Sequence, residues 1–216
     1  MSRKSISITV VLLYMTMSSL AQVAGTFKDS RDGKTYKTVK IGTQTWLATN
    51  LAFKASSGCW AYDNNNANAI SYGYLYTWET AKKVCPAGWH LPSMAEWGTL
   101  TDFAGGEKTA GNKLKEAGAK HWASPNTGAT NASGFTALPG GGRQEDGQFT
   151  NIKTYGNWWT TDVRAMTDPS TKTATTFCEN IAISGVPDYP LEINALVSTS
   201  LNKKEAAFSV RCIRNK

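Results

Sequence analysis

The sequence has few residues that could hold a transition metal. Its only histidines are His90 and His121. A structural zinc site needs cysteine or histidine ligands about two to four residues apart. No two of the four cysteines come that close: Cys59, Cys85, Cys178 and Cys212. The sequence therefore predicts no metal site, and no motif in it predicts another cofactor.

Charge is also scarce. Only 18% of the residues are charged, and the net charge of +7 is mild for this length. Basic residues occur singly or in pairs, such as Lys82-Lys83 and Lys203-Lys204, without the basic run or aromatic-interleaved stripe of a nucleic-acid groove. We expect no binding to nucleic acid.

Long apolar runs are absent as well. The first apolar segment is interrupted by hydroxyl side chains and is shorter than the ~20 apolar residues that a membrane span needs. It follows Arg3 and Lys4 and precedes Ser19 and Ala21, an arrangement typical of a signal peptide cleaved after Ala21. We predict a signal peptide over residues 1–21 and a protein that is secreted or held at the cell surface. The periplasm and an uncleaved N-terminal anchor helix are the alternatives.

What remains, residues 22–216, fits one domain on the usual prior of about 100 to 200 residues per domain. Glycine is abundant and there are eight tryptophans, a composition typical of a loop-rich protein with an aromatic core. An even number of cysteines in an exported chain indicates disulfides. The residues alone leave all three pairings open.

Local patterns predict several elements. Residues 36–41 and 45–48 alternate like two strands of a hairpin, and the Asn-rich stretch 63–68 is typical of a solvated loop. Residues 76–83 and 109–117 favour short helices. A third helix begins at a capping box, Ser93-Met94-Ala95-Glu96, and carries a core-facing apolar stripe. Short apolar runs near 135, 158, 180 and 210 favour later strands.

Six blocks of the sequence, in order, resemble the signature of the Fibrobacter succinogenes major paralogous domain family. They cover the chain from about residue 29 to 214 and are residues 29–51 (DSRDGKTYKTVKIGTQTWLATNL), 72–78 (YGYLYTW), 85–93 (CPAGWHLPS), 140–143 (GGGR), 156–161 (GNWWTT) and 209–212 (SVRC). The resemblance implies an α+β domain similar to C-type lectins and formylglycine-generating enzymes. Short helices would pack on a small, twisted, mainly antiparallel sheet with long loops.

The same resemblance implies disulfide pairings. In that fold the last strand returns beside the first half of the domain, which implies a bridge between Cys85 and Cys212. The remaining Cys59 would then pair with Cys178.

The sequence offers little catalytic chemistry. His90 with Glu96 nearby could act as a general base, but we expect it to hydrogen-bond the backbone of the turn before the capped helix. The calcium-binding triplets of sugar-binding C-type lectins are absent, and the nearest strings, 186–188 and 158–162, lack the paired oxygens that calcium needs. The reactive cysteines of the formylglycine-generating enzymes cannot be placed on this chain. We predict a protein without enzymatic activity.

The leading hypothesis is a non-catalytic extracellular recognition or adhesion module that binds a glycan or a protein at a cell surface. A structural subunit of a surface assembly and an oxidase-like enzyme are the alternatives. Adjacent Trp158 and Trp159 on one strand must face opposite ways, so either one ring is exposed or both are buried. If a ligand binds, we expect it at the late loops, where aromatic, basic and acidic groups combine: Arg143, Tyr155, Trp158 and Asp162.

Overall fold

The computed structural model describes residues 23–167 and 169–216. The predicted signal peptide, 1–21, lies outside the described residues. Three mainly antiparallel sheets and a few short helices make up the fold, which confirms the predicted α+β class. Among the described residues, no helix is both long enough and apolar enough to cross a membrane.

The first sheet joins the two ends of the described chain. Its strands are β1 (Val23–Lys28), β2 (Thr35–Ile41), β3 (Gln44–Leu47), β6 (Trp89–His90) and β13 (Ile213–Arg214), in the order β1-β2-β3-β13-β6. The predicted hairpin is the antiparallel pair β2 and β3. The expectation that the terminal strands lie close together is confirmed, because Ile213 pairs with Trp46.

The other two sheets contain the remaining strands. One has three strands in the order β11-β10-β9: β9 (Tyr155–Thr167), β10 (Ala174–Ser184) and β11 (Val197–Asn202). The other has the order β4-β5-β12-β7-β8: β4 (Cys59–Trp60), β5 (Leu75–Thr77), β7 (Gly142–Arg143), β8 (Phe149–Thr150) and β12 (Ala207–Phe208). A register shift between Cys178 and Asn180 interrupts the pairing of β9 with β10.

The helices are short. They are α1 (Asn66–Tyr72), α2 (Trp78–Val84), α3 (Met94–Phe103), α4 (Ala110–Leu114) and α5 (Leu191–Asn194). The second, third and fourth lie close to the predicted places, whereas the first and the last were not predicted. The capping box that begins α3 is confirmed: Ser93 Oγ accepts from the Glu96 amide at 3.2 Å, and Glu96 Oε2 accepts from the Ser93 amide at 2.9 Å. Each bond satisfies an amide that the first turn of a helix would leave without a partner.

The Asn-rich stretch 63–68 is not the open loop that its composition predicts. It forms a 3-10 turn over Tyr62–Asn64 and then the start of α1. The side chain of Asn65 accepts from the Ala67 amide at 3.0 Å and caps α1. Burial of Ala69 and Tyr72 on one side of this helix stabilises it against its weak helix propensity.

The core has two main parts, and β9 contributes to both. Trp158 and Trp159 are each fully buried, which decides between the two sequence-based alternatives. The Trp158 ring lies 5.7 Å from the ring of Trp97, whereas the Trp159 ring lies 4.7 Å from that of Phe208. Since adjacent residues of a strand face opposite ways, one strand supplies a tryptophan to the cluster on each of its sides.

Lys115, which follows α4, is fully buried without an acidic partner. Its Nζ donates to the Ser184 carbonyl at 3.2 Å and lies 5.3 Å from the Trp122 ring. None of the ion pairs in the described part of the chain includes it. Burial lowers the pKa of Lys115 from 10.5 to about 8, because removal from water disfavours the ammonium form.

This burial predicts a pH-dependent stability. Between pH 8 and 10.5 the unfolded chain holds more protons on Lys115 than the folded chain, so this residue's contribution to stability rises with pH. From pH 7 to pH 10 we expect a gain of about 2 kcal/mol in the parent that Lys115→Met lacks. Urea unfolding at several pH values measures it, with the exposed Lys113→Met as the control. Parallel pH profiles for the parent and Lys115→Met would contradict the prediction.

Candidate functional site

The structure does not bring the four predicted ligand-binding residues together. Arg143 is on β7, whereas Tyr155, Trp158 and Asp162 are on β9. Tyr155 and Asp162 are seven residues apart on that strand, a separation of about 20 Å at the rise of an extended chain. One small ligand cannot contact all four side chains.

Three of the four side chains are already engaged within the protein. The fully buried Trp158 donates from Nε1 to Asn50 Oδ1 at 2.9 Å, so its ring presents no face to solvent. Asp162 accepts from the Met94 amide at 2.8 Å and thereby holds the beginning of α3. Burial raises the pKa of Tyr155, whose hydroxyl contacts Tyr189 and Ser184. Of the four, only the Arg143 side chain has no hydrogen bond or ion pair with another described side chain or backbone group.

Arg143 lies on a surface that we call the Arg143 face, made of Trp60, Tyr62, Arg143 and Phe149. Strand pairing explains why these side chains meet. Arg143 is opposite Phe149 across β7 and β8. On its other side it is opposite Ala207 of β12, which is opposite Thr77 of β5. Trp60 of β4 is opposite Leu75, which lies two residues before Thr77 and so on the same side of the sheet. Paired residues point to the same side of a sheet. The Tyr62 ring covers part of this side and lies 5.2 Å from the Phe149 ring.

Two glycines before Arg143 let β7 run close to its neighbours. Gly141 has φ 65°, and a side chain there would come within 2.4 Å of the Thr150 carbonyl oxygen. A Cβ on Gly142 would come within 2.5 Å of the Phe208 ring. The tight approach therefore requires glycine at both positions, and it places the next residue, Arg143, on the outer side of the sheet.

The guanidinium of Arg143 stacks on aromatic rings. Its central carbon lies 4.3 Å from the ring centroid of Trp60 and 5.9 Å from that of Phe149. Arg143, Trp60 and Phe149 are each partly exposed. The face thus combines planar apolar groups with a positive charge, and such surfaces bind partners through stacking and charge-assisted hydrogen bonds.

Comparison with known proteins places the chain in a family. Residues 39–214, most of the chain, match the Fibrobacter succinogenes major domain. The chain belongs to that family. No curated protein and no solved structure matches it.

In this Fibrobacter succinogenes major domain, the motif blocks form strands and the turns that lead into them. The GGGR block is the turn into β7 and β7 itself, and the SVRC block leads into β13. The resemblance of the motifs to the family is therefore confirmed over nearly the range that the sequence indicated.

Sequence reasoning missed Trp60 and Phe149 as site residues. Each of them lies in a strand of only two residues. Nothing in the local sequence indicates that the two side chains meet in the fold. The third sheet relates them, since β4 and β8 are its two outer strands and Arg143 reaches the rings of both.

The cysteines of the domain differ from the expectation in one pair. Cys85 and Cys212 form the predicted disulfide. Cys59 and Cys178 are free thiols in the structure, so the second implied bridge is not formed. Burial raises the pKa of Cys178 to about 11 and raises that of Cys59 as well. Such thiols stay protonated at neutral pH, whereas a nucleophilic cysteine needs a lowered pKa.

His90 does not bond the backbone of its turn, as the sequence had suggested. Its Nε2 lies 2.9 Å from Glu96 Oε1 and its Nδ1 lies 2.6 Å from Asn215 Oδ1. Although burial acts to raise the pKa of the Glu96 carboxyl, the Ser93 amide and His90 hold it below its ordinary value. The pair links the start of α3 to the C-terminal residues. In the described part of the chain, no three His, Cys, Asp or Glu side chains group as metal ligands.

A second concave region is a cleft of about 470 Å³ between β2 and α1, where Ile70 is 87% exposed. The buried Asn50 lines the cleft, but its side chain bonds within the protein. Its Nδ2 donates to the Tyr72 carbonyl at 2.8 Å, and its Oδ1 accepts from Trp158 and Arg211. Asn50 is therefore not available to a ligand in this cleft.

Proposed function

We propose that this protein is a secreted, non-catalytic recognition module that binds a glycan at a cell surface through the Arg143 face. The observation that carries the proposal is the partly exposed stack of Arg143 on Trp60, with Phe149 beside it. Sugar rings present flat C–H faces, which pack on aromatic rings, and hydroxyl groups, which accept from a guanidinium. A protein partner is the other outcome of the binding test.

Several features support a C-type lectin-like architecture for the module. The described chain has short helices and mainly antiparallel strands, and its last strand pairs with the N-terminal hairpin. The disulfide joins Cys85, just before β6, to Cys212, just before β13. A disulfide of this kind also suits an exported protein.

The proposal predicts a binding defect for Phe149→Ala. Removal of the ring takes away a stacking surface, and we expect glycan affinity to fall at least about tenfold, or 1.4 kcal/mol. A glycan array identifies the ligand, and calorimetric titration of the purified protein then measures the loss.

A matched control is Phe103→Ala. Phe103 is another phenylalanine that solvent reaches, with 42% exposed, but it ends α3 and lies outside the Arg143 face. Binding by Phe103→Ala should equal that of the parent. Equal loss in both variants, or no loss in Phe149→Ala, would place the ligand elsewhere.

One observation favours the second candidate, a structural subunit that joins copies of itself. Strand β11 pairs with β10 only from Cys178 to Ile183, so the distal part of the β9–β10 ribbon extends beyond it. In that part Val163 and Met166 are about half exposed, at 49% and 50%, and unpaired strand edges can add strands from another chain. Concentration-dependent polymers in size-exclusion chromatography would favour this candidate, and a monodisperse monomer would favour the recognition module.

A further inference from the structure

We infer that the Arg143 face selects an acidic glycan, because Arg143 is built to receive the carboxylate of a uronic acid residue. This inference rests on the proposed function and names the class of sugar that the site takes. It follows from what the Arg143 guanidinium contacts, and from what it leaves free.

Two aromatic rings lie beside the guanidinium. The Trp60 ring lies 4.3 Å from its carbon, and the Phe149 ring lies 5.9 Å away. The N–H groups of a guanidinium point outward in its plane. A partner that binds at the edge of the guanidinium meets two parallel N–H groups, which match the two oxygens of a carboxylate.

The edge has no partner in the described protein. Two other arginines are paired with acids: Arg31 with Asp29 at 2.7 Å and Arg164 with Glu179 at 2.8 Å. The side chain of Arg143 takes part in none of the side-chain hydrogen bonds or ion pairs between described residues. A positioned guanidinium with unused donors is the usual receptor for a carboxylate, sulfate or phosphate.

The neighbouring acids do not neutralise Arg143. Glu145, in the turn between β7 and β8, is paired with Lys203 through both of its oxygens, at 3.0 and 2.8 Å. Asp146, in the same turn, accepts from the Gln148 amide at 2.9 Å. Gly147 faces the guanidinium, since a Cβ there would lie 2.8 Å from Arg143 Nη2. Glycine at this position therefore leaves the guanidinium free of a side chain from residue 147.

A uronic acid fits this chemistry better than an acidic peptide. Its carboxylate is attached directly to a sugar ring, so a carboxylate at the Arg143 edge keeps that ring beside Phe149, the partly exposed aromatic side chain paired with Arg143 across the strands. A carboxylate on a flexible peptide side chain has no such flat group next to it.

The test uses the arginine side-chain N–H signals of the whole protein, measured by NMR during titration with sodium glucuronate, glucose or acetate. We expect the Arg143 signal to shift saturably with glucuronate, to stay unchanged with glucose, and to respond to acetate at least about tenfold more weakly. Arg143→Lys keeps the charge but loses the paired donors, so its glucuronate affinity should fall about tenfold. Arg143→Gln should not bind glucuronate.

Arg214→Gln is the matched control. Arg214 also stacks on a tryptophan, Trp89 at 5.1 Å, but it is exposed and has one ring instead of two. This variant should bind glucuronate like the parent. Glucuronate binding that survives Arg143→Gln would overturn the inference, and so would acetate binding as tight as glucuronate binding, which would indicate an acidic peptide.

The outcomes separate this inference from the proposed function. A neutral glycan that binds through Phe149 and is unaffected by Arg143→Gln would keep the proposed function and overturn the acidic specificity. Loss of all glycan binding, with an Arg143 signal that responds equally to every anion, would overturn both the proposed function and the acidic specificity.

Discussion

Replacing Cys85 and Cys212 together by alanine should lower the free energy of unfolding by about 4 to 5 kcal/mol. The two cysteines are 127 residues apart, so their bridge removes a large amount of conformational entropy from the unfolded chain. It also joins the segment before β6 to the segment before β13, two strands that pair with each other. Chemical denaturation of both proteins under non-reducing conditions measures the difference.

The other two cysteines provide the control. Cys59→Ala with Cys178→Ala leaves the disulfide intact and should cost only about 1 to 2 kcal/mol, the loss of two thiols from apolar surroundings. The parent should also show two titratable thiols when it is unfolded without reductant. A stability loss as large as that of the first pair, together with no titratable thiol, would mean that Cys59 and Cys178 are bonded.

Arg211→Met should destabilise the protein by about 3 to 5 kcal/mol. Arg211 is fully buried, and burial lowers its pKa to about 9. In place of an acid it has four oxygen acceptors, at 2.6 to 3.1 Å: Leu47 O, Phe135 O, Thr136 O and Asn50 Oδ1. Methionine fills similar space but donates nothing, so the buried oxygens lose this partner.

Arg214→Met serves as the comparison for this effect. Arg214 is three residues further along and exposed, and its substitution should change the free energy of unfolding by no more than about 0.5 kcal/mol. Thermal and urea unfolding of both variants give the two values. If Arg211→Met stays within about 1 kcal/mol of the parent, the hydrogen bonds of Arg211 contribute little, and apolar packing alone holds this part of the core.

The same contacts show why the role of Arg211 was not visible in the sequence. It lies within a recognisable motif, yet its acceptors come from residues 47–50 and 135–136, far away in the chain. Asn50 connects it further, because its Oδ1 also accepts from Trp158. A pattern of neighbouring residues carries no information on which distant carbonyl groups will meet a buried guanidinium.

Local signals predicted the elements whose causes are local. The capping box at Ser93 and Glu96 determines where α3 begins, since its hydrogen bonds join residues three apart. The hairpin of β2 and β3 is likewise joined by a short turn, in which Gly42 adopts φ 57°. The prediction of a loop over residues 63–68 was wrong, because the helix that begins there depends on buried contacts that the polar composition of the stretch does not reveal.

By itself, the sequence determined the family, the α+β class, the Cys85–Cys212 bridge and one member of the candidate site, Arg143. The α+β class and Arg143 follow from residue types and local patterns, and the family follows from the motif blocks. The bridge is what the resemblance to that family implies, because the residues alone leave all three pairings open. The tertiary structure decided that Trp158 is core and that Trp60 and Phe149 accompany Arg143. It decided this because strand order brings distant segments side by side, and only that order determines which faces are covered and which charges remain without a partner.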